Sequence, residues 1–331
     1  MNRLHIPLPS PLGEGPGVRL LLLLLLLLLF ASTLHAQPFL RPGDRVALVS
    51  PGYVAPEKDI VSTIQVLEGW GLEGVVAPNV GKTFADKYAG TPEERVADLR
   101  WALADTTIKA ILCNRGGYGA LHLIELMSYN EWRRNPKWLV GFSDVTTLHG
   151  LLCRAGVMCI HGTMSMFLAD GGTDTSSILL RDLLFGSLPR YEVPPHPENI
   201  TGHATGTLVG GNLCTLTPLL GTKADPTAGN DFILFLEDVD ETMHNIDRQF
   251  KVLELNGVLD RCKGVVLGSF SNCKPEFSYP CIEAMLRPYI EKRGIPLLCG
   301  FPAGHSTPNM PLILGAPVTI DVRPDGASLS F

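Results

Sequence analysis

Ser143 stands between a short apolar segment and a segment with helical spacing. Residues 138–140 have the composition of a buried strand, Gly141 allows a tight turn, and apolar residues recur at helical intervals over 145–152. A hydroxyl on such a turn projects beyond the sheet edge, beside the unpaired N–H groups of the first helical turn. This arrangement suits a nucleophile, because donors wait where an oxyanion would form. Serine is also a common helix N-cap, and this stretch alone leaves both interpretations open.

A second loop, from Arg115 to Gly119, is rich in glycine and follows the apolar segment 108–113. It has neither the lysine and spacing of a P-loop nor the glycine spacing of a dinucleotide-binding turn. The bare N–H groups of Gly116 and Gly117 would complete an oxyanion hole beside Ser143. A tight turn without any ligand explains the same residues, so the pattern leaves this choice open.

An activated serine needs a general base, and the base needs an acceptor that orients it. His149 lies about two helical turns beyond Ser143, which points it away from the hydroxyl. His161 follows a strand and His305 lies in a polar loop, so both are candidates for the base. Glu237 ends an apolar strand, an unusual place for a carboxylate without a function. Each of these residues also has a simple structural explanation. The histidines are explained as ordinary loop residues, and Glu237 as a carboxylate that caps the next segment.

Strand-like and helix-like segments alternate through the first half of the chain. This alternation predicts a parallel sheet with helices on both faces. Thr91 and Glu94 form the pattern of a capping box, with Pro92 in the first turn of the helix that follows. Loops that follow parallel strands open on one edge of the sheet, so the loops 115–119 and 141–144 are expected to meet there.

The alternation loosens after residue 165, and a proline-rich segment covers residues 189–197. We therefore predict an N-terminal domain over 37–165, a linker region over 166–205 and a C-terminal domain over 206–331. The second half again predicts strands and helices. A strand followed by a turn is predicted over 206–213. Further strands are predicted over 232–236, 264–268, 312–314 and 317–322, and helices over 246–255 and 281–289.

Composition excludes several classes of protein. The 331 residues are 45% hydrophobic and 18% charged, as in an ordinary globular protein, and the net charge of -6 gives no reason to expect nucleic acid as a partner. The eight cysteines include no C-x-x-C pair, which argues against zinc and dithiol redox sites. Cys273 and Cys281 flank a loop-like segment, and their pairing in an oxidising compartment is left open.

The N-terminus has the pattern of a secretory signal peptide. Arg19 precedes an unbroken leucine run over 20–29, and small residues follow before Ala36. The run is short for a membrane span, so we expect no stable membrane insertion, the alternative being a retained anchor. Cleavage near Ala36 would leave a chain that begins near Gln37 and is periplasmic or secreted.

Many ordered motifs of this sequence resemble the LD-carboxypeptidases, the muramoyltetrapeptide carboxypeptidase-like serine peptidases of family S66. The resemblance covers nearly the whole chain after residue 37. Its motifs are Pro42-Gly43-Asp44, Ser50-Pro51, Ala89-Gly90-Thr91, Glu94-Arg95, Asp98-Leu99, Arg115-Gly116-Gly117-Tyr118-Gly119, Gly141-Phe142-Ser143-Asp144, Gly210-Gly211-Asn212-Leu213, Leu236-Glu237-Asp238 and Gly304-His305.

The resemblance implies roles for individual residues. It makes Ser143 the nucleophile, Glu237 the charge-relay carboxylate and His305 the general base. It places the oxyanion between the N–H group of Asp144 and that of Gly116 or Gly117. Three further residues are candidates for substrate contact: Arg115, Tyr118 and Asn212.

The resemblance also implies a fold and an activity. The fold is α/β, an N-terminal doubly wound parallel-sheet domain plus a smaller α/β C-terminal domain, with the site in the cleft between them. The expected activity is hydrolysis of the L,D amide bond that releases terminal D-alanine from murein tetrapeptides, by a homodimer without metal or other cofactor. Two alternatives are an immunity-type peptidase of the same family that cleaves a peptide-nucleotide antibiotic, and a non-catalytic secreted binding module.

Overall fold

The computed structural model describes residues 37–168, 171–274 and 276–331. The predicted signal peptide, residues 1–36, lies outside the described residues. Residues 37–331 form one compact unit, which contains a sheet of six strands and a sheet of seven among the parts described. None of the helices in those parts combines the length and apolar character needed to cross a bilayer.

The regular elements are numbered along the chain. The strands are β1 (Arg45–Val49), β2 (Glu73–Val76), β3 (Ile108–Cys113), β4 (Trp138–Gly141), β5 (Cys159–His161), β6 (Arg190–Val193), β7 (Gly202–Asn212), β8 (Phe232–Val239), β9 (Cys262–Ser271), β10 (Leu297–Leu298), β11 (Leu312–Leu314), β12 (Pro317–Arg323) and β13 (Gly326–Ser330). The α-helices are α1 (Glu57–Gly69), α2 (Pro92–Ala104), α3 (Tyr129–Arg134), α4 (Thr146–Ala155), α5 (Ser165–Leu168), α6 (Thr175–Leu184), α7 (Leu213–Leu216), α8 (Met243–Leu255), α9 (Val258–Arg261) and α10 (Ile282–Glu291).

The first sheet has the strand order β11-β5-β4-β3-β1-β2. Its neighbouring strands are parallel, apart from the antiparallel pair β11 and β5. Successive side chains of a strand face opposite sides, and Leu48 of β1 packs in the cluster that contains α1 and α6. Its neighbour Val49 packs in the other cluster, with α2 and α4. Helices therefore cover both faces, and the predicted doubly wound α/β architecture is confirmed.

The second sheet has the order β10-β9-β8-β7-β12-β13-β6. Strands β7 to β10 are parallel, whereas β12, β13 and β6 add to the sheet in antiparallel fashion. Strand β6 comes from the region predicted as a linker, which also contributes helix α6. That region therefore adds elements to the fold instead of only connecting two domains.

The predicted last pair of strands is present, but the two strands belong to different sheets. In β11, Ile313 pairs with Ile160 of β5 in the first sheet, while β12 lies between β7 and β13 in the second. The C-terminal half thus completes the first sheet, and one hydrophobic cluster extends over both halves. The predicted domain boundaries at residues 165 and 206 stay predictions.

Two local patterns can be compared directly with the structure. The capping box of α2 has both bonds: Thr91 Oγ1 accepts from Glu94 N at 3.3 Å, and Glu94 Oε2 accepts from Thr91 N at 2.9 Å. Cys273 and Cys281 are both free thiols. Cys281 Sγ instead accepts from Ala284 N at the start of α10, so the pairing left open by the sequence is not formed.

Candidate active site

Ser143 lies on the turn between β4 and α4, where it begins a 3₁₀ turn over Ser143–Val145. Its backbone is left-handed, with φ +62°, a region that few residues other than glycine occupy and that costs on the order of 1–3 kcal/mol. Its hydroxyl caps neither the 3₁₀ turn nor α4. The cap interpretation therefore does not account for this serine, and the strained strand-to-helix turn is the geometry of a nucleophile elbow.

The glycine-rich loop packs directly against Ser143. A methyl group placed on Gly116 would stand 3.4 Å from Ser143 Oγ and 3.5 Å from Asp144 N. The carbonyl of Gly116 accepts a bond from Tyr53 N at 3.0 Å. Because C=O and the next N–H of a trans peptide point in opposite directions, the N–H of Gly117 faces away from Tyr53.

The N–H groups of Gly117 and Asp144 are available for a ligand. Neither donates to any group within the described parts of the chain. The structure therefore brings the Gly116–Gly117 peptide and the Asp144 N–H alongside the serine, as an oxyanion hole requires.

The side chain of Asp144 turns into a buried polar cluster. Its carboxylate accepts from Ala120 N at 2.9 Å. Burial raises the pKa of Asp144, opposed by hydrogen bonds from the N–H groups of Ala120 and Gly119 and by the charge of Arg95. The buried Arg95 in turn donates to Pro51 O at 2.6 Å. These contacts hold the loops around the serine together, a role for Arg95 that the sequence did not indicate beyond its place after the capping box.

Glu237 is fully buried in β8 of the second sheet. The sequence predicted that the strand ends at Glu237, and in the structure it continues to Val239. The register with β9 shifts here: Leu236 pairs with Leu267, but Asp238 pairs with Phe270. Strand β9 thus has one extra residue opposite Glu237, and irregularities of this kind are common next to active sites. The carboxylate of Glu237, at this irregular position, reaches His305.

His305 lies on the loop between β10 and β11. Its Nδ1 is 2.7 Å from Glu237 Oε2, and its ring centroid is 4.9 Å from that of Phe142, the residue before Ser143. Burial lowers the pKa of His305, but the hydrogen bond and charge of Glu237 outweigh it, so the pKa is raised above its ordinary value. An ionised carboxylate only accepts, so Nδ1 carries the proton and Nε2 is left free to accept one.

The two other histidines considered from the sequence are fully buried. Burial lowers the pKa of His149 to about 3 and that of His161 well below its ordinary value. The ring of His161 packs edge-on against Phe235, with centroids 4.9 Å apart. Of the two candidate bases, His305 is therefore the one that combines a carboxylate partner with a partly exposed ring.

The three candidates for substrate contact differ in accessibility. Tyr118 is 45% exposed, and Arg115 is half-buried with its guanidinium 5.9 Å from the ring of Tyr53. Asn212 is buried, and its amide donates to Asp238 at 3.0 Å and accepts from Thr215 N at 3.0 Å. The side chain of Asn212 is thus engaged within the protein, whereas those of Arg115 and Tyr118 remain reachable.

A pocket of about 510 Å³ opens beside His305. Its wall combines aromatic rings with hydroxyl and amide groups, most of which the sequence did not single out. The lining residues are Phe142, Thr163, Phe167, Thr173, Asp174, Ser176, Gly304, His305, Ser306, Thr307 and Asn309. Asn309 Oδ1 accepts from Gly304 N at 2.9 Å and so holds the loop that carries His305. In the sequence, the polar loop after Gly304 was the one feature that pointed to the lining of this pocket.

A strained serine at the end of a parallel strand and a histidine–carboxylate pair across from it are typical of serine-type hydrolases. Family models agree with this class. Residues 46–162 match the LD-carboxypeptidase N-terminal domain, and residues 205–320 match the LD-carboxypeptidase C-terminal domain. The chain belongs to the LD-carboxypeptidase family, peptidase family S66, and is a serine-type carboxypeptidase of that family.

Individual relatives are similar over most of their length. A Bacillus subtilis protein named as a probable murein peptide carboxypeptidase is 34% identical over 291 residues, 84% of this chain and 88% of the relative. The murein tetrapeptide carboxypeptidase of Pseudomonas aeruginosa is 29% identical, over 80% of this chain and 89% of the relative. The microcin C7 self-immunity protein of Escherichia coli is 27% identical, over 84% and 91%.

The fold also matches a solved structure. The muramoyltetrapeptide carboxypeptidase from Oxalobacter formigenes superposes with a TM-score of 0.79 at 25% identity, covering 86% of this chain and 98% of that protein. The predicted two-part α/β fold is confirmed by this likeness.

Proposed function

We propose that this carboxypeptidase hydrolyses the L,D amide bond that releases the terminal D-alanine from murein tetrapeptides. The proposal is carried by the 2.7 Å pair of His305 and Glu237, whose imidazole ring lies 4.9 Å from that of Phe142, next to the left-handed Ser143. Relatives named for murein peptides and a neighbour named for muramoyltetrapeptides support the choice of substrate.

In the proposed mechanism, His305 Nε2 takes the proton of Ser143 Oγ as the oxygen attacks the scissile carbonyl carbon. Glu237 keeps the proton on Nδ1 and stabilises the imidazolium that forms. The N–H groups of Asp144 and Gly117 hold the oxyanion of the tetrahedral intermediate. Gly116 leaves room for that oxygen, because any side chain there would press on Ser143.

The intermediate then collapses with cleavage of the C–N bond. His305 gives its proton to the nitrogen, so D-alanine leaves as a neutral amine. A water molecule enters, His305 accepts its proton, and the resulting hydroxide attacks the acyl carbon of the ester at Ser143. The second tetrahedral intermediate collapses with cleavage of the C–Oγ bond, and His305 returns its proton to Ser143 Oγ. The tripeptide leaves with a free carboxyl group, and the enzyme returns to its starting protonation state.

The compartment and assembly are part of the proposal. A signal peptide ending near Ala36 would place the enzyme in the periplasm or outside the cell, where murein is accessible. A homodimer is proposed from the family resemblance. Export favours murein over the alternative substrate, a peptide-nucleotide antibiotic in the cytoplasm, although a self-immunity protein is among the relatives.

The proposal is tested by incubating purified muropeptides with the protein and following their masses. Loss of one alanine from tetrapeptides, absent with the Ser143→Ala variant, is the expected result. The same assay includes an aminoacyl-nucleotide conjugate as a second substrate. Cleavage of that conjugate without any action on tetrapeptides would replace the murein assignment by the immunity-type function.

A further inference from the structure

A carboxypeptidase has to recognise the free carboxylate at the end of its substrate, and the pocket beside His305 offers no cation for it. Among its lining residues the only charged side chain apart from His305 is the carboxylate of Asp174. That group caps helix α6 by accepting from Ser176 N at 2.9 Å. Two carboxylates in one pocket would repel each other, so the terminal carboxylate belongs elsewhere.

A second pocket, of about 270 Å³, contains the missing positive charge. It is lined by Tyr53, Val54, Asp86, Lys87 and Arg115. The guanidinium of Arg115 lies 5.9 Å from the ring centroid of Tyr53, and the ammonium group of Lys87 lies 6.0 Å from it. Two cations and one carboxylate give this pocket one net positive charge.

The second pocket adjoins the backbone that flanks Ser143. Gly117 packs on Tyr53 so closely that a methyl group there would come within 2.3 Å of the ring. Tyr53 N also holds the carbonyl of Gly116, and Arg115 is the residue directly before Gly116. The guanidinium of Arg115 and the backbone of Gly117 both lie against the ring of Tyr53, which places this cation near the proposed oxyanion hole.

The charge of Arg115 is not used elsewhere in the described parts of the chain. None of the ion pairs there includes Arg115, Lys87 or Asp86. Two buried cations of the N-terminal half are engaged within the protein: Arg95 donates to Pro51 O, and Lys137 donates to the carbonyls of Ala102 and Asp105. A half-buried guanidinium without a carboxylate partner is well suited to bind one from a ligand, because its two parallel N–H groups match both oxygens.

We infer that Arg115, assisted by Lys87, binds the C-terminal carboxylate of the substrate. This inference rests on the proposed function and adds the residue that restricts cleavage to the chain end. The scissile carbonyl and the terminal carboxylate of the substrate are separated by one residue. In the protein, Arg115 directly precedes Gly116, which packs against Ser143. An amidated end would lose the charge that Arg115 recognises.

The test compares three forms of the synthetic tetrapeptide L-Ala-γ-D-Glu-L-Lys-D-Ala. One has both carboxylates free, one is amidated at D-Ala, and one is amidated at the internal D-Glu. The wild-type enzyme should prefer the free end over the terminal amide by roughly 10- to 100-fold in kcat/KM, the effect of a hydrogen bond to a charged group. Arg115→Gln should remove that preference through KM, and Arg115→Lys should retain part of it.

Arg323→Gln is the matched control, since Arg323 is 55% exposed on β12 and pairs only with Asp321 in the second sheet. It should keep the wild-type preference, and thermal melting should show that all variants are folded. An unchanged preference in Arg115→Gln would overturn the inference while leaving the proposed function intact. The inference would also be overturned if Arg115→Gln changed the effect of amidation at D-Glu and left the effect of amidation at D-Ala unchanged. If the wild-type enzyme cleaved none of the three peptides, the proposed function would fall and the inference with it.

Discussion

Nδ1 of His305 lies 2.7 Å from Oε2 of Glu237, although the two residues belong to different elements. Glu237 lies inside β8, where the register with β9 shifts, and His305 follows β10 on the loop that leads back to β11 in the first sheet. The same loop brings the imidazole ring against Phe142, next to Ser143. The pair therefore depends on the loop that connects β10 in the second sheet with β11 in the first.

The first prediction concerns Ser143. Ser143→Ala and Ser143→Gly should both lose about 10³-fold or more in turnover, as expected when a triad nucleophile is removed. Their stabilities should differ, because glycine adopts φ +62° without the strain that a Cβ atom causes. Ser143→Gly should therefore melt at a higher temperature than Ser143→Ala, by an amount that corresponds to about 1 kcal/mol.

Purified variants serve for both measurements, D-alanine release and thermal unfolding. Substantial turnover by Ser143→Ala would reject the nucleophile assignment. Equal melting temperatures would show that the left-handed backbone at Ser143 is not a source of strain.

The second prediction concerns pH. Glu237 raises the pKa of His305 above its ordinary value, and the proposed base has to be neutral. The acidic limb of the kcat/KM profile should therefore have its midpoint above about 6.5. In Glu237→Gln the charge is lost while burial remains, so the midpoint should move to lower pH as the rate falls.

The same shift has a consequence for stability. Because the pKa of His305 is higher in the folded than in the unfolded protein, the pair stabilises the fold fully below the unfolded pKa. This contribution disappears as pH rises through the folded pKa. Titration of the His305 ring by NMR in wild type and Glu237→Gln gives the pKa values directly, and equal values would contradict the coupling.

The third prediction uses two glycines with nearly the same backbone. Gly117 has φ +92° and Gly43 has φ +90°, so alanine at either position should cost about 1–2 kcal/mol in backbone strain. At Gly43 the added methyl group meets no atom within 4 Å, whereas at Gly117 it strikes the ring of Tyr53. Gly117→Ala should displace the proposed oxyanion donor and lose roughly 10²-fold in kcat, while Gly43→Ala keeps wild-type kcat.

Unfolding in urea and steady-state kinetics on both variants separate the two effects. If Gly43→Ala lost as much activity as Gly117→Ala, the loss would reflect general destabilisation. Normal kcat in a folded Gly117→Ala would exclude this peptide from the oxyanion hole.

Local patterns in the sequence predicted the parts of the site that depend on neighbouring residues. The strand-turn-helix around Ser143 and the capping box at Thr91 are both set by contacts within a few positions, and both are found. The meeting of the glycine-rich loop with Ser143 followed from the rule that loops after parallel strands share an edge. These features required no knowledge of the rest of the chain.

Other features depend on contacts between distant segments and were not predictable from periodicity. Strand β11 is a run of three buried apolar residues, which does not show to which sheet it belongs. Its pairing with β5 assigns it to the first sheet. The register shift opposite Glu237 arises from the pairing of β8 with β9, not from a local signal. The roles of Glu237 and His305 came from the family resemblance, because each residue taken alone had an equally simple structural explanation.

The last prediction concerns stereochemistry. Three interactions would fix the substrate around Ser143: attack at the carbonyl carbon, the oxyanion between the N–H groups of Asp144 and Gly117, and the terminal carboxylate at Arg115. With those three held, inversion of the terminal α-carbon exchanges its hydrogen and methyl group, so one epimer has to move. A displacement of about 1 Å can cost roughly 10²-fold in rate. We therefore expect a tetrapeptide ending in L-alanine to be cleaved that much more slowly than its D-alanine counterpart.

A pentapeptide ending in D-alanyl-D-alanine should also react poorly, since the residue on the acyl side of its last bond is then a D-centre. Competition between the three peptides, followed by mass spectrometry, measures the ratios of kcat/KM in one mixture. Equal turnover of the D- and L-alanine tetrapeptides would remove the LD specificity and leave a serine carboxypeptidase that recognises only the chain end.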